Sequence, residues 1–108
     1  MAKWLVVVET NSADTARETE FNEWYDKTHL PDAMEAPEFI RATRYENIKP
    51  KEGEAKYLAL YEVETDDIDR FRKTNAGNIA RLRAEGRLSE LLVIVSSGIY
   101  KQISSLSK

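Results

Sequence analysis

The chain has 108 residues, 42% hydrophobic and 32% charged, with a formal net charge of −3, one histidine and no cysteine. That length suits one domain around one core, residues 1–108, and the absence of cysteine excludes disulfide and thiolate chemistry and fits a reducing cytoplasm. Lys and Arg are scattered among carboxylates without the basic stripe of a nucleic-acid binder, and the longest uncharged run, Leu91 to Tyr100, is far short of a membrane span.

Lys3 to Thr10 is rich in β-branched residues and reads as a first strand, not a secretion signal, because no small-residue cleavage site follows it. Asn11-Ser12 makes a loop. Thr15-Ala16-Arg17-Glu18 fits the capping box that opens a helix. That helix places Phe21, Trp24, Tyr25 and Thr28/His29 on one stripe and is expected to stop near His29, since Pro31 disfavours helical geometry at Leu30. Pro31 to Glu35 then forms a short second turn with Asp32 against its dipole.

Phe39 to Asn47 alternates as a second strand, and the polar stretch to Ala55, with Pro50 and Gly53, suits an exposed hairpin loop. Tyr57 to Glu64 reads as a third strand. Asp66 is the expected cap of a helix whose inner side carries Ile68, Phe71, Ile79 and Leu82. Gly77 weakens that helix and Gly86 stops it. Leu91 to Ile103 is the last strand, with Gly98 expected at a bulge.

The order β-α-β-β-α-β is the ferredoxin-like α+β pattern, a four-stranded antiparallel sheet with both helices on one face. A sheet with one wet face alternates apolar and polar residues. Leu5-Val6-Val7-Val8 and Leu91 to Val95 do not alternate, so both faces of these strands need cover. Two helices shield one face only, and a second copy of the chain packed sheet to sheet would shield the other. The expected assembly is a homodimer.

Glu20-Phe21-Asn22-Glu23-Trp24-Tyr25-Asp26-Lys27-Thr28-His29-Leu30-Pro31-Asp32, followed by Pro37-Glu38-Phe39-Ile40 and Arg44-Tyr45, resembles the dimeric α/β-barrel superfamily. The nearest groups in pattern are the EthD-like and stress-responsive A/B-barrel (Dabb) proteins. The chain departs from that pattern at Glu38, where a glycine is usual, which leaves the turn into the second strand open. The resemblance implies a pocket between sheet and helices that opens near the end of the first helix. It implies no single reaction: the superfamily holds cyclases, isomerases, dehydratases and haem-degrading or quinol-forming monooxygenases.

His29 carries the functional reading. It lies four residues after Tyr25 and eight after Phe21, on the stripe facing the sheet. Two roles are open to it: an imidazole packed at a helix end, or an acid–base group whose ordinary pKa of about 6.5 lets it move a proton near neutral pH. Asp26, one turn earlier, is the candidate to orient the imidazole, or a solvated carboxylate. Tyr25 is a candidate catalytic hydroxyl, or core. Trp24, Arg44, Tyr45 and Tyr61 are candidate substrate contacts. Alternation puts Phe39, Arg41, Thr43 and Tyr45 on one face of the second strand and Ile40, Ala42 and Arg44 on the other; an inward arginine would meet a substrate carboxylate or enolate.

One histidine does not make a facial triad, no loop has the spacing of a Ca²⁺ site, and no Gly-rich phosphate cradle is present. The haem-degrading relatives take their axial histidine from the second helix, where this chain has Asn75 and Asn78. The sequence therefore points to a cofactor-independent lyase, isomerase or cyclase acting on a carbonyl-bearing hydrophobic or aromatic metabolite. Its rivals are a ligand-binding dimer without turnover and a cofactor-free monooxygenase.

Overall fold

Tyr57, Ala59, Tyr61 and Val63 are buried while Leu58, Leu60, Glu62 and Glu64 between them are partly open, so this strand has one covered face and one uncovered. In the computed structural model, which describes residues 1–108, it is β3 (Tyr57–Glu64). The other elements are β1 (Lys3–Ser12), a 3₁₀ turn (Thr15–Arg17), α1 (Glu18–Trp24), a π-helical turn (Tyr25–His29), α2 (Leu30–Ala33), β2 (Phe39–Glu46), α3 (Ile68–Ala84) and β4 (Leu92–Lys101). The strands form one antiparallel sheet in the order β2-β3-β1-β4. This is the ferredoxin-like arrangement. No helix is long and apolar enough to cross a membrane.

The core lies between the covered face and the helices. Phe21 and Phe71 are wholly buried and Tyr25, Val63 and Leu91 nearly so. Each such side chain contributes about 1.5–3 kcal/mol by leaving water. Phe39 ties β2 to α3 and β3, its ring 5.1 Å from that of Phe71 and 5.9 Å from that of Tyr61.

The first helix starts differently from its expected capping box. Asp14 rather than Thr15 is the cap, accepting the Ala16 N–H at 2.9 Å, and the chain passes through the 3₁₀ turn before α1. A carboxylate is a stronger acceptor than a threonine hydroxyl and is favoured by the positive helix end. The expected stop near His29 is also absent. In an α-helix the Pro31 ring would strike the carbonyl of Lys27. The chain instead widens by one residue, with Leu30 N–H donating to the Tyr25 carbonyl, and continues into α2 with Pro31 in its first turn. Pro31 has no N–H, so the segment runs on past it with one backbone hydrogen bond missing. His29 thus lies inside a continuous helical segment, at a π-turn.

Two β-bulges correct the expected faces. The register between β2 and β3 shifts between Phe39 and Arg41. The extra residue, Ile40, turns outward, and Phe39 joins Ala42 and Arg44 on the helix side, not Arg41. In β4 the shift falls opposite Glu9 and Thr10, so Val95 is the unpaired residue and Gly98 is not. Gly98 pairs with Val7, and the Tyr100 ring lies over it, 3.2 Å from where a Cβ would stand.

Asp67, not Asp66, caps α3, accepting the Arg70 N–H at 3.0 Å. Gly86 ends the helix as expected: its φ of 72° lies in the left-handed region. The Arg87 N–H reaches the Leu82 carbonyl at 2.9 Å and the Gly86 N–H that of Arg83 at 3.2 Å, the paired closure of a Schellman motif. The turn from α2 into β2 closes through Phe39 N–H on the Ala36 carbonyl at 3.2 Å. No residue other than Gly53 and Gly86 has positive φ, so Glu38 fits this turn without a glycine's freedom.

Candidate functional site

Helix α3 carries Ile68, Arg72, Asn75, Ile79 and Arg83 at spacings of three and four, one stripe of its surface. That stripe roofs a cavity of about 650 Å³ above the sheet. Val6 and Val8 of β1 and Ile94, Ser97 and Ile99 of β4 form the floor. The bulge at Val95 makes this floor possible, because without it Ile94 and Ser97 would face opposite ways. Tyr25, His29, Ala33, Phe39 and Tyr61 close the inner end. On the edge strand β4 the lining is open to solvent, with Ile94 55% exposed and Ile99 36%.

His29 is buried against aromatic rings. It stacks on Trp24 with ring centroids 4.8 Å apart and meets the edge of Tyr25 at 4.8 Å. Burial holds its pKa below the ordinary histidine value. The Arg44 charge lowers it further, and the Asp32 carboxylate opposes both. The ring is therefore neutral at pH 7, a base with a free lone pair rather than a cation.

Two phenols share this end of the cavity. The Tyr25 and Tyr61 hydroxyls are 3.5 Å apart, and either can donate. Burial raises the pKa of both, strongly for Tyr61. They remain protonated donors across the physiological range.

Arg44 acts on Tyr25 from behind. Its guanidinium lies 4.2 Å from the Tyr25 ring centroid and also faces Tyr57 at 5.4 Å. It donates to Asp26 Oδ1 and to Asn22 Oδ1, both at 2.9 Å. Its Nε is buried without a partner. Asp26 thus holds Arg44 and not the imidazole, which corrects its expected role. The physical reason is direction: Asp26 is on the exposed side of the helix, facing the end of β2.

The expected site residues divide accordingly. Tyr25, His29 and Tyr61 line the cavity. Trp24 backs His29 from outside and donates its indole N–H to the Arg87 carbonyl at 3.2 Å. Arg44 lies behind Tyr25. Tyr45, 53% exposed, is on the opposite face of the sheet. Arg41 also faces outward, with its Nε 3.8 Å from Glu62. Trp4, Arg72, Asn75, Arg83 and Ser97 line the cavity and were not singled out by sequence. The one signal for them was the period of the arginines in α3, which reads equally well as a solvated face. No group of three or more His, Cys, Asp or Glu is gathered to hold a metal ion. Asn78 turns away from the cavity and donates to the Asp32 carbonyl at 3.0 Å.

A family model described as Domain of unknown function (DUF4286) matches residues 6–87. No curated protein matches the chain. Among solved structures, SnoaB, a cofactor-independent oxygenase from Streptomyces nogalater, is similar at 17% identity over 100% of each chain, with a TM-score of 0.63. An ethyl tert-butyl ether (EthD) family protein from Bacillus halodurans is 18% identical over 95% of this chain and 100% of its own, TM-score 0.54. A dimeric ferredoxin-like protein of unknown function from Thermobifida fusca is 12% identical over 94% of this chain and 92% of its own, TM-score 0.54. These likenesses show the fold, the ferredoxin-like α+β arrangement.

Proposed function

The chain belongs to the DUF4286 family, and on that premise we propose that its cavity is an active site for proton transfer on an apolar, carbonyl-bearing metabolite. The observation that carries this reading is the buried His29 imidazole against the Tyr25 ring, with the Tyr25 and Tyr61 hydroxyls paired at the same inner end of a largely apolar cavity. His29 takes the proton from the carbon next to the carbonyl. Charge moves to the carbonyl oxygen, where the Tyr25 or Tyr61 hydroxyl donates to it. The imidazolium then returns the proton to another carbon, an isomerisation, or to a departing hydroxyl, an elimination. Arg44 is a positioning residue: its charge over the Tyr25 ring makes that phenol a better donor. Asp26 and Asn22 hold Arg44 in place.

Exchange of the α-protons of aromatic ketones into D₂O, followed by NMR, tests the reading. An acid–base group contributes typically about 10²–10⁴-fold, so His29→Asn is expected to slow exchange at least a hundredfold while folding normally. Equal exchange by the variant, or none by the parent protein, would reject it. A ligand-binding role without turnover predicts saturable binding and no exchange.

The fold shared with SnoaB favours a second reading, in which the carbanion made by His29 transfers electrons to O₂. Oxygen uptake with an anthrone separates it from simple proton transfer.

We also infer a homodimer. Leu5, Leu60, Tyr45 and Tyr100 gather on the sheet face that no helix covers, with Tyr100 61% exposed. A second copy set face to face would bury them. A solution mass near twice 12.4 kDa is expected.

A further inference from the structure

Most arginines of this chain end on a carboxylate. Arg17, Arg41, Arg44, Arg81 and Arg87 pair with Glu20, Glu62, Asp26, Glu35 and Asp32 respectively. Arg72 does not, although Asp69 stands three residues before it on α3. Its side chain lines the cavity instead. Asn75, one turn along the same stripe, is half-buried there, and Ser97 faces the cavity from the floor. A guanidinium, a carboxamide and a hydroxyl, none engaged within the chain, therefore border a cavity whose lining is mostly apolar.

We propose that Arg72 and Asn75 form an anion seat, and that the ligand of this cavity is an amphipathic acid: an aromatic or alicyclic body bearing a carboxylate. The guanidinium fork presents two parallel N–H donors to a carboxylate, and the Asn75 amide supplies a third from the adjacent turn. The apolar body then lies along Ile79, Val6 and Ile99 toward His29. Arg83 also lines the cavity, eleven residues or about 16 Å further along α3. The stripe residue one turn before it is the apolar Ile79, so Arg83 has no polar neighbour there and is not part of the seat. This substrate class rests on the proton-transfer reading above for what happens to the ligand, but not for its binding.

Isothermal titration of two isosteric probes, 2-naphthoate and 2-acetonaphthone, tests the seat. The naphthoate is expected to bind about tenfold tighter, a gain typical of charge-assisted hydrogen bonds. Arg72→Gln and, independently, Asn75→Leu should bring the two affinities to within about twofold by weakening only the acid. Arg83→Gln should keep the preference. Equal affinities in the parent protein, no binding of either probe, or a preference that survives Arg72→Gln or disappears with Arg83→Gln would overturn the proposal. The preference should persist in His29→Asn whether or not that variant exchanges protons. Normal α-proton exchange without acid preference would sink the seat alone.

Discussion

The imidazole of His29 lies nearly flat on the indole of Trp24, their planes 20° apart, while its other flank meets the edge of Tyr25. Two rings thus exclude water from the only histidine, and that exclusion decides its protonation. Replacing Trp24 with Leu opens one flank to water and should move the His29 titration up toward the ordinary histidine value. The ring-proton NMR shifts against pH would show it; an unchanged titration would mean that Arg44 controls the imidazole instead.

The depressed pKa has a stability consequence with a definite sign. The unfolded chain binds the His29 proton at about pH 6.5 and the folded chain only at lower pH. Between those values the unfolded state holds more protons, so stability falls as pH drops below about 6.5 and is fully present above it. The paired carboxylates Glu20, Glu23 and Asp32 are held below their ordinary range and act at lower pH still. Thermal unfolding of His29→Asn should lack the first part of the decline and keep the second.

Activity should follow the same group. If His29 is the base, kcat/KM rises through its lowered pKa and stays level from about pH 7 to 9, because both phenols titrate above about 10. A profile that falls across pH 7–9 would argue for an acid as the working group.

Arg44 is tied to the site by stacking more than by its ion pair. Its side chain is 13% exposed against 59% for Asp26. Arg44→Met should cost about 1–2 kcal/mol in denaturant unfolding through the lost cation–π contacts, and should raise the His29 pKa. Asp26→Asn should cost less than about 1 kcal/mol, because the mostly exposed carboxylate is replaced by an amide whose oxygen still accepts from the guanidinium. The reverse order would show the ion pair to be the dominant link.

Gly86 is the one helix end where backbone conformation limits the residue. Its φ of 72° strains any side chain, although nothing crowds a Cβ there. Gly86→Ala should destabilise by about 1 kcal/mol without altering ligand binding. Gly77 lies inside α3 with open space around it, so Gly77→Ala should stabilise by roughly the same amount. Denaturant midpoints compare the two directly.

On the uncovered sheet face, Leu60→Glu places a charge amid Leu5, Tyr45 and Tyr100. A homodimer should dissociate to the monomer mass in light scattering. A monomer at the outset would reject the dimer and leave the cavity reading intact.

The sequence by itself determined the order of elements, the glycine stop at Gly86 and the stripe that gathers Tyr25 and His29, because these follow from local spacing and backbone preference. It also named Tyr61, on the third strand, among the candidate contacts. What only the tertiary structure decided is where one residue more or less changes a face. The bulges at Ile40 and Val95 exchange inside for outside along the edge strands, and the π-turn carries the helix past Pro31. Each depends on how neighbouring strands and helices fit, which no local pattern records. The partners of Asp26 and the roof of arginine and asparagine on α3 were hidden for the same reason: a charged residue reads alike from sequence whether it faces water or a cavity, until the opposing wall is in place.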